Sequence, residues 1–123
     1  MSSSRTLAIA GLLLALATVC GAFGAHALKS QWAPERLQVY ETAVRYHFLQ
    51  ALGLLGIGLA LRFIDSPVLR WAALLVLVGV LLFSGSLYAL TLGAPRPIGV
   101  VTPIGGLALI AGWLCFAVGA WRH

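Results

Sequence analysis

Glu41 and Arg45 stand one helical turn apart with the acid first, the order that favours an i, i+4 ion pair on a helix. Such a pair neutralises two charges near a membrane interface. Alternatively, Arg45 stays ready for an anionic ligand or headgroup, since a planar guanidinium grips a carboxylate or phosphate through two parallel bonds. His26 and His47 add imidazoles, the side chains that titrate nearest neutrality and suit proton-responsive roles. Thr42, Tyr46 and Gln50 extend the polar run, with Tyr46 and Gln50 sharing a helix face and Tyr88 placed to meet them. Ser84 adds a hydroxyl from the same later segment as Tyr88.

Several chemistries lack their parts. Glu41 and His47 are six residues apart, splayed by more than half a helical turn, and no compact metal motif is present. Ser84-Gly85-Ser86 does not resemble a nucleophile elbow, and Asp65 sits in a loop away from both histidines. The expectation is a non-enzymatic protein with no catalytic residues, no metal and no cofactor.

Positioning these residues falls to helices in lipid. The 123 residues are 61% hydrophobic and 9% charged, against about 25% charged in soluble domains. Four apolar runs, roughly 6–28, 39–61, 71–92 and 99–121, each match the ~20 residues that cross a ~30 Å hydrocarbon core. None alternates as a transmembrane β-strand would. The expected fold is an all-α membrane protein, an up-down bundle of four transmembrane helices forming a single domain over 1–123. The net charge of +5 comes from scattered Lys and Arg without a basic run, which favours anionic headgroups over nucleic acid as the partner.

The first run resembles a secretory signal, with Ala25-His26-Ala27 as a cleavage-like site. Bulky Val19 before Cys20 argues against a lipoprotein signal, and the run reads as an uncleaved first span. Cys20 and Cys115 differ in depth by ~12 Å at ~1.5 Å per residue, too far for a disulfide.

Alternating spans put both termini on one side, side A, with the 62–70 loop. The 29–38 and 93–98 loops lie on side B. Arg5, Arg62, Arg70 and Arg122 mark side A; Lys29, Arg36 and Arg96 mark side B, with Arg45 just inside span 2. This small excess favours a cytoplasmic side A. Pro34 suits the first position of a helix that starts ahead of span 2.

Small residues recur at heptad spacing: Ala8, Gly11, Ala15, Thr18, Ala22 and Ala25 in span 1; Ala72, Gly79 and Ser86 in span 3; Gly105, Ala108, Gly112, Cys115 and Gly119 in span 4. Such stripes let helix backbones approach closely, here to pack the bundle or to join copies in a homo-oligomer. Gly21, Gly24, Gly105 and Gly112 are the expected packing glycines.

Sorted by depth, the polar residues are lopsided. His26, Glu41, Thr42, Arg45, Tyr46, His47, Gln50, Ser84 and Tyr88 all fall in the side B half, while the side A half is almost wholly apolar. Polar groups inside a membrane are candidates for function by default. A half-membrane pocket open to side B follows, for a lipid headgroup, a small ligand or a partner helix, with a role in binding or envelope homeostasis. The alternative is a small proton-coupled or small-molecule transporter working as an oligomer.

The run GAFGAHALK (21–29), then Trp32, Glu35 and TAVRYHFLQALGLL (42–55), resembles the YgdD-like family of small bacterial membrane proteins. The likeness extends over essentially the whole chain. It implies four helices, a bacterial cytoplasmic (inner) membrane location and no established activity. It places Gly21, Gly24, His26, Thr42, Tyr46 and His47 within the family's motif regions.

Overall fold

Ser2 opens the first helix by accepting a hydrogen bond from the Arg5 N–H, a serine cap on otherwise orphaned helix donors. The computed structural model describes residues 1–123 apart from the side chain of Ala25. Helix α1 runs Ser3–Phe23 and widens into a π-helical turn, Gly24–Leu28. Helix α2 runs Pro34–Phe63 and α3 runs Pro67–Thr91, each with proline in its first turn, where the missing N–H has no partner to lose. Ser66 caps α3 through the Leu69 N–H. Gly93, at φ 101°, turns the chain after α3 in a conformation that L side chains resist. A 3₁₀ turn, Arg96–Val100, leads into α4, Val101–Trp121.

Each of the four helical segments is long and apolar enough to cross a membrane, and the described residues contain no strand. The chain is therefore an all-α, up-down membrane protein of four spanning helices. At 30 residues, α2 extends ~45 Å, well beyond a ~30 Å core, so its first turns stand among the headgroups.

The packing is sequential: α1 lies along α2, α2 along α3 and α3 along α4. Ala10, Leu13, Ala51, Leu54, Ile57, Ala72, Ala73, Val76, Val80 and Leu109 form the shared core. This arrangement leaves two notches. One lies between α1 and α3 over α2, lined by Leu13, Cys20, His47, Leu81 and Tyr88 among others. The other lies between α2 and α4 over α3, lined by Tyr46, Gln50, Phe83 and Trp113 among others. Each residue turns a helix by about 100°, so Phe83 stands about 200° from Leu81. The notches therefore open on opposite flanks of the α2–α3 pair.

The small residues divide by location. A Cβ on Gly105 would stand 2.4 Å from the Phe83 backbone nitrogen, and one on Gly112 would stand 2.8 Å from the Val76 side chain. A Cβ on Gly21 would rest 3.4 Å from Phe48, an ordinary contact. In α1 the internal-packing expectation is corrected. Ala8, Gly11, Ala15, Thr18 and Ala22 are exposed, while Thr6, Ala10, Leu13 and Ala17 are buried on the other face. Ala25, the last of that stripe, lies outside the described side chains. Lipid and core are both apolar, so small residues there do not reveal which face turns inward.

These environments separate two glycines experimentally. Gly105→Ala should destabilise the protein by about 1–3 kcal/mol, because α3 and α4 must part. Gly11→Ala, with nothing within 4 Å of the new methyl, should stay within about 0.5 kcal/mol of the parent. Unfolding in detergent micelles, followed by tryptophan fluorescence, checks both; equal losses would refute the close α3–α4 approach.

Candidate functional site

Arg36, in the first turn of α2, ties that helix to the carboxyl end of α3. Its Nε and Nη2 donate to the Thr91 carbonyl at 2.8 and 2.5 Å, and its guanidinium lies 3.9 Å over the Trp32 ring. The last carbonyls of a helix lack internal donors and sit at its negative end, so a cation serves both needs. Trp32 meets Tyr40 edge-on, and Tyr40 in turn meets Tyr88 with centroids 5.5 Å apart. The Tyr40 hydroxyl donates to the Cys20 carbonyl, which also accepts the Gly24 N–H. Gly24 makes room for that ring, since a Cβ there would fall 2.2 Å from it.

The column ends at His47, in the side B half of the membrane. This side chain is 6% exposed and lies about midway between Pro34 and Phe63. Its Nδ1 is 2.9 Å from the Tyr88 hydroxyl. Its Nε2 is the one buried side-chain nitrogen or oxygen without a hydrogen-bond partner among the described residues. The Leu13 carbonyl of α1 stands near the ring but closes no hydrogen bond with it. An unmatched buried polar atom disfavours the fold by about 1–3 kcal/mol, and native proteins keep few of them. One turn away, Ser84 donates to the Ala43 carbonyl at 2.9 Å and holds α3 against α2.

The nine residues expected to share one pocket do not converge. His47, Ser84 and Tyr88 line the α1–α3 notch, of about 230 Å³. Tyr46 and Gln50 line the α2–α4 notch, of about 470 Å³. There the Gln50 carbonyl accepts from Trp113 Nε1 at 2.7 Å, and Tyr46 packs on Phe83 with centroids 4.7 Å apart. Tyr88 meets His47, not Tyr46 and Gln50 as expected. Ser86 and Thr102 share a hydrogen bond between α3 and α4.

The charged members turn away from both notches. Glu41 and Arg45 are exposed, and the one salt bridge among the described residues joins Arg70 to Asp65 at 2.7 Å. The expected Glu41–Arg45 pair is corrected accordingly. On an exposed face an ion pair gains little, and each charge is well solvated alone. His26 is exposed in the π-helical turn beside Ala22 and Phe23, not against α2. Thr42 donates locally to the Gln38 carbonyl at 3.0 Å. No three His, Cys, Asp or Glu side chains converge as a metal site among the described residues, and Cys20 and Cys115 are both free thiols.

Sequence reasoning missed the roles of Arg36, Tyr40, Cys20 and Trp113. One signal was available. Membrane tryptophans gather at interfaces, so Trp113 in mid-span announces a buried partner for its indole N–H.

A family described as proteins of unknown function, DUF423, matches residues 20–106. The chain belongs to this family. A UPF0382 membrane protein of Staphylococcus saprophyticus is 40% identical over 96% of the chain and 98% of its own length. The Bacillus subtilis UPF0382 membrane protein YwdK is 38% identical over 97% and 98%. The Escherichia coli UPF0382 inner membrane protein YgdD is 34% identical over 99% and 93%. No solved structure matches the chain. The resemblance read from the two motifs is thus shown, and with four spanning helices the chain is a membrane protein of this uncharacterised family. The DUF423 match covers the whole column from Cys20 to Thr91 but stops short of Trp113.

A double-mutant cycle tests the unpaired charges. Glu41→Gln and Arg45→Gln should couple by less than about 0.5 kcal/mol in unfolding free energy, as independent exposed sites do. Coupling above about 1 kcal/mol would show that the two pair after all.

Proposed function

We propose that this protein is a non-enzymatic, membrane-embedded binding protein whose ligand sits in the α1–α3 notch against His47. One observation supports this reading above the others: a histidine in the wall of the notch, in the side B half of the membrane, with its ring fixed through Nδ1 to Tyr88. Polar side chains inside a membrane are expensive, which makes those that line a lipid-facing notch candidates for function. Within the wider pocket expected from the sequence, His47, Ser84 and Tyr88 take the ligand. His26, Glu41, Thr42 and Arg45 face the headgroup layer at the side B rim, and Tyr46 and Gln50 serve the opposite notch. Holding a membrane component in this way fits a role in envelope homeostasis.

An oligomeric carrier is the weaker reading. The polar column stops at His47, and beyond it the shared core is Leu54, Ile57, Ala72, Ala73 and Val76. A second copy would have to supply the missing half of the route.

Two experiments bear on these proposals. Protein extracted together with its surrounding bilayer by a copolymer should hold at least one component enriched over the bulk membrane, detected by mass spectrometry. The double variant His47→Phe/Tyr88→Phe removes both partners at once, leaves no orphan hydroxyl and should cut that enrichment about tenfold. Identical bulk-like composition in both samples would sink the binding role. For orientation, Arg5, Arg62, Arg70 and Arg122 support cytoplasmic termini. In a background with Cys20 and Cys115 replaced by alanine, Ser30→Cys should react with an impermeant maleimide in intact cells. Ser2→Cys should react only after lysis, and the reverse pattern would invert the topology.

A further inference from the structure

We infer that the α2–α4 notch is a second site, which seats one diacyl phospholipid of the side B leaflet. Its ester carbonyls accept hydrogen bonds from the Tyr46 hydroxyl and the Gln50 amide. This site stands apart from the α1–α3 notch and makes no use of His47.

The first ground is the donors. An indole N–H can only donate, so the Gln50 atom 2.7 Å from Trp113 Nε1 is the carbonyl oxygen. That bond fixes the amide and leaves its NH₂ without a partner in the chain. The buried side-chain nitrogen or oxygen that lacks a partner among the described residues is His47 Nε2 alone, so the Gln50 nitrogen is accessible, and Gln50 lines the notch. Tyr46, 39% exposed, lines the same notch. Its ring packs on Phe83, and its hydroxyl makes no hydrogen bond within the chain. Polar groups that face lipid rather than water need acceptors there. The ester carbonyls of a diacyl phospholipid are such acceptors.

The second ground is depth. Arg45 carries its charge at the headgroup level, and Tyr46 is the next residue of α2. Gln50 lies one turn deeper than Tyr46, about 6 Å at ~1.5 Å per residue. Side chains on a helix tilt toward its N-terminus, which for α2 is side B, so both donors lean toward the headgroups. They stand just beneath the phosphates, where ester groups border a ~30 Å hydrocarbon core.

The third ground is shape. Helix α4 contributes Gly106, Ile110, Trp113 and Leu114 to the notch, spaced along one face that descends from side B. Eight residues make that face about 12 Å long, the run of an acyl chain standing along the membrane normal. The notch, of about 470 Å³, opens sideways, with Ile110 and Leu114 59% and 63% exposed to the bilayer. Gly106 keeps its mouth free of a side chain beside the Phe83 ring. No charged residue lines the notch, so recognition falls on the esters rather than on the headgroup.

The test uses the full chain in vesicles of diether phosphatidylethanolamine and phosphatidylglycerol, which lack ester carbonyls. Two trace probes are compared, a diester and a diether phosphatidylglycerol of equal chain length, each with a diazirine in one chain. On peptides containing Tyr46–Gly53 or Gly106–Leu114, the diester probe should label about tenfold more than the diether probe. Unlabelled diester lipid should compete this labelling away, and peptides from the exposed face of α1 should show no preference. Phosphatidylethanolamine probes should behave alike. Tyr46→Phe, which keeps the ring on Phe83, should lower the preference about threefold. Gln50→Leu/Trp113→Phe removes both partners of the internal bond together and should lower it to a similar extent. Equal labelling by the two probes in the parent, or a preference that survives all three substitutions combined, would overturn the site. Loss of labelling at both peptides as protein density in the vesicles rises would assign the notch to a second copy of the chain and overturn it as well.

Discussion

Three hydrogen-bonded contacts run down the seam between α2 and α3: Arg36 to the Thr91 carbonyl, His47 with Tyr88, and Ser84 to the Ala43 carbonyl. All three lie in the side B half. In hydrocarbon there is no water to take a lost partner's place, so such bonds hold two helices in a single register. Below them the seam continues as apolar packing of Leu54 and Ile57 with Val76 and Ala73. Everything else hangs from this pair. Helix α1 closes on α2 where Tyr40 reaches the Cys20 carbonyl, and α4 closes on α3 where Gly105 and Gly112 bring the backbones together.

The polar column and the notch are two results of the same arrangement. Because α1 sits on α2 and α4 on α3, neither outer helix covers the flank of the central pair opposite its own. On the α1 flank His47 lines the notch with its Nδ1 bonded to Tyr88, while its Nε2 lies enclosed without a partner. On the α4 flank Gln50 finds the indole of Trp113, and the polar carbonyl is matched within the chain. The two flanks thus differ in one respect: on one the amide carbonyl and the indole N–H are matched within the chain, and on the other an enclosed nitrogen is not.

Much of the architecture was legible from residue type and spacing. Span lengths, direction, the start of α2 at Pro34 and the lopsided depth of polar groups all follow from hydropathy and helix chemistry. Azimuth does not. In a soluble helix the polar face points out, but here both faces are apolar, so the small-residue stripe of α1 looked inward and in fact faces lipid. The same ambiguity merged nine polar residues into one pocket, because depth placed them together while rotation about α2 separates them. Glu41 and Arg45 share the outer face at i, i+4. Tyr40, Ala43, His47, Ala51 and Leu54, at steps of three and four, share the inner one. That inner stripe mixes two alanines with two polar rings, a pattern that a search for purely small residues passes over.

The strictly sequential packing has a consequence for how the chain is made. Each helix rests chiefly on the one synthesised just before it, and the links between them are short. No helix has to wait for a distant partner, and none has to be displaced to admit a later one. The chain is thus suited to insertion in the order of its synthesis, with local contacts forming early and little long-range search. The Arg36–Thr91 clasp joins positions far apart in the sequence, as the Gln50–Trp113 bond does between α2 and α4. It closes only after α3 has crossed, which makes it a latch on an assembly already in place.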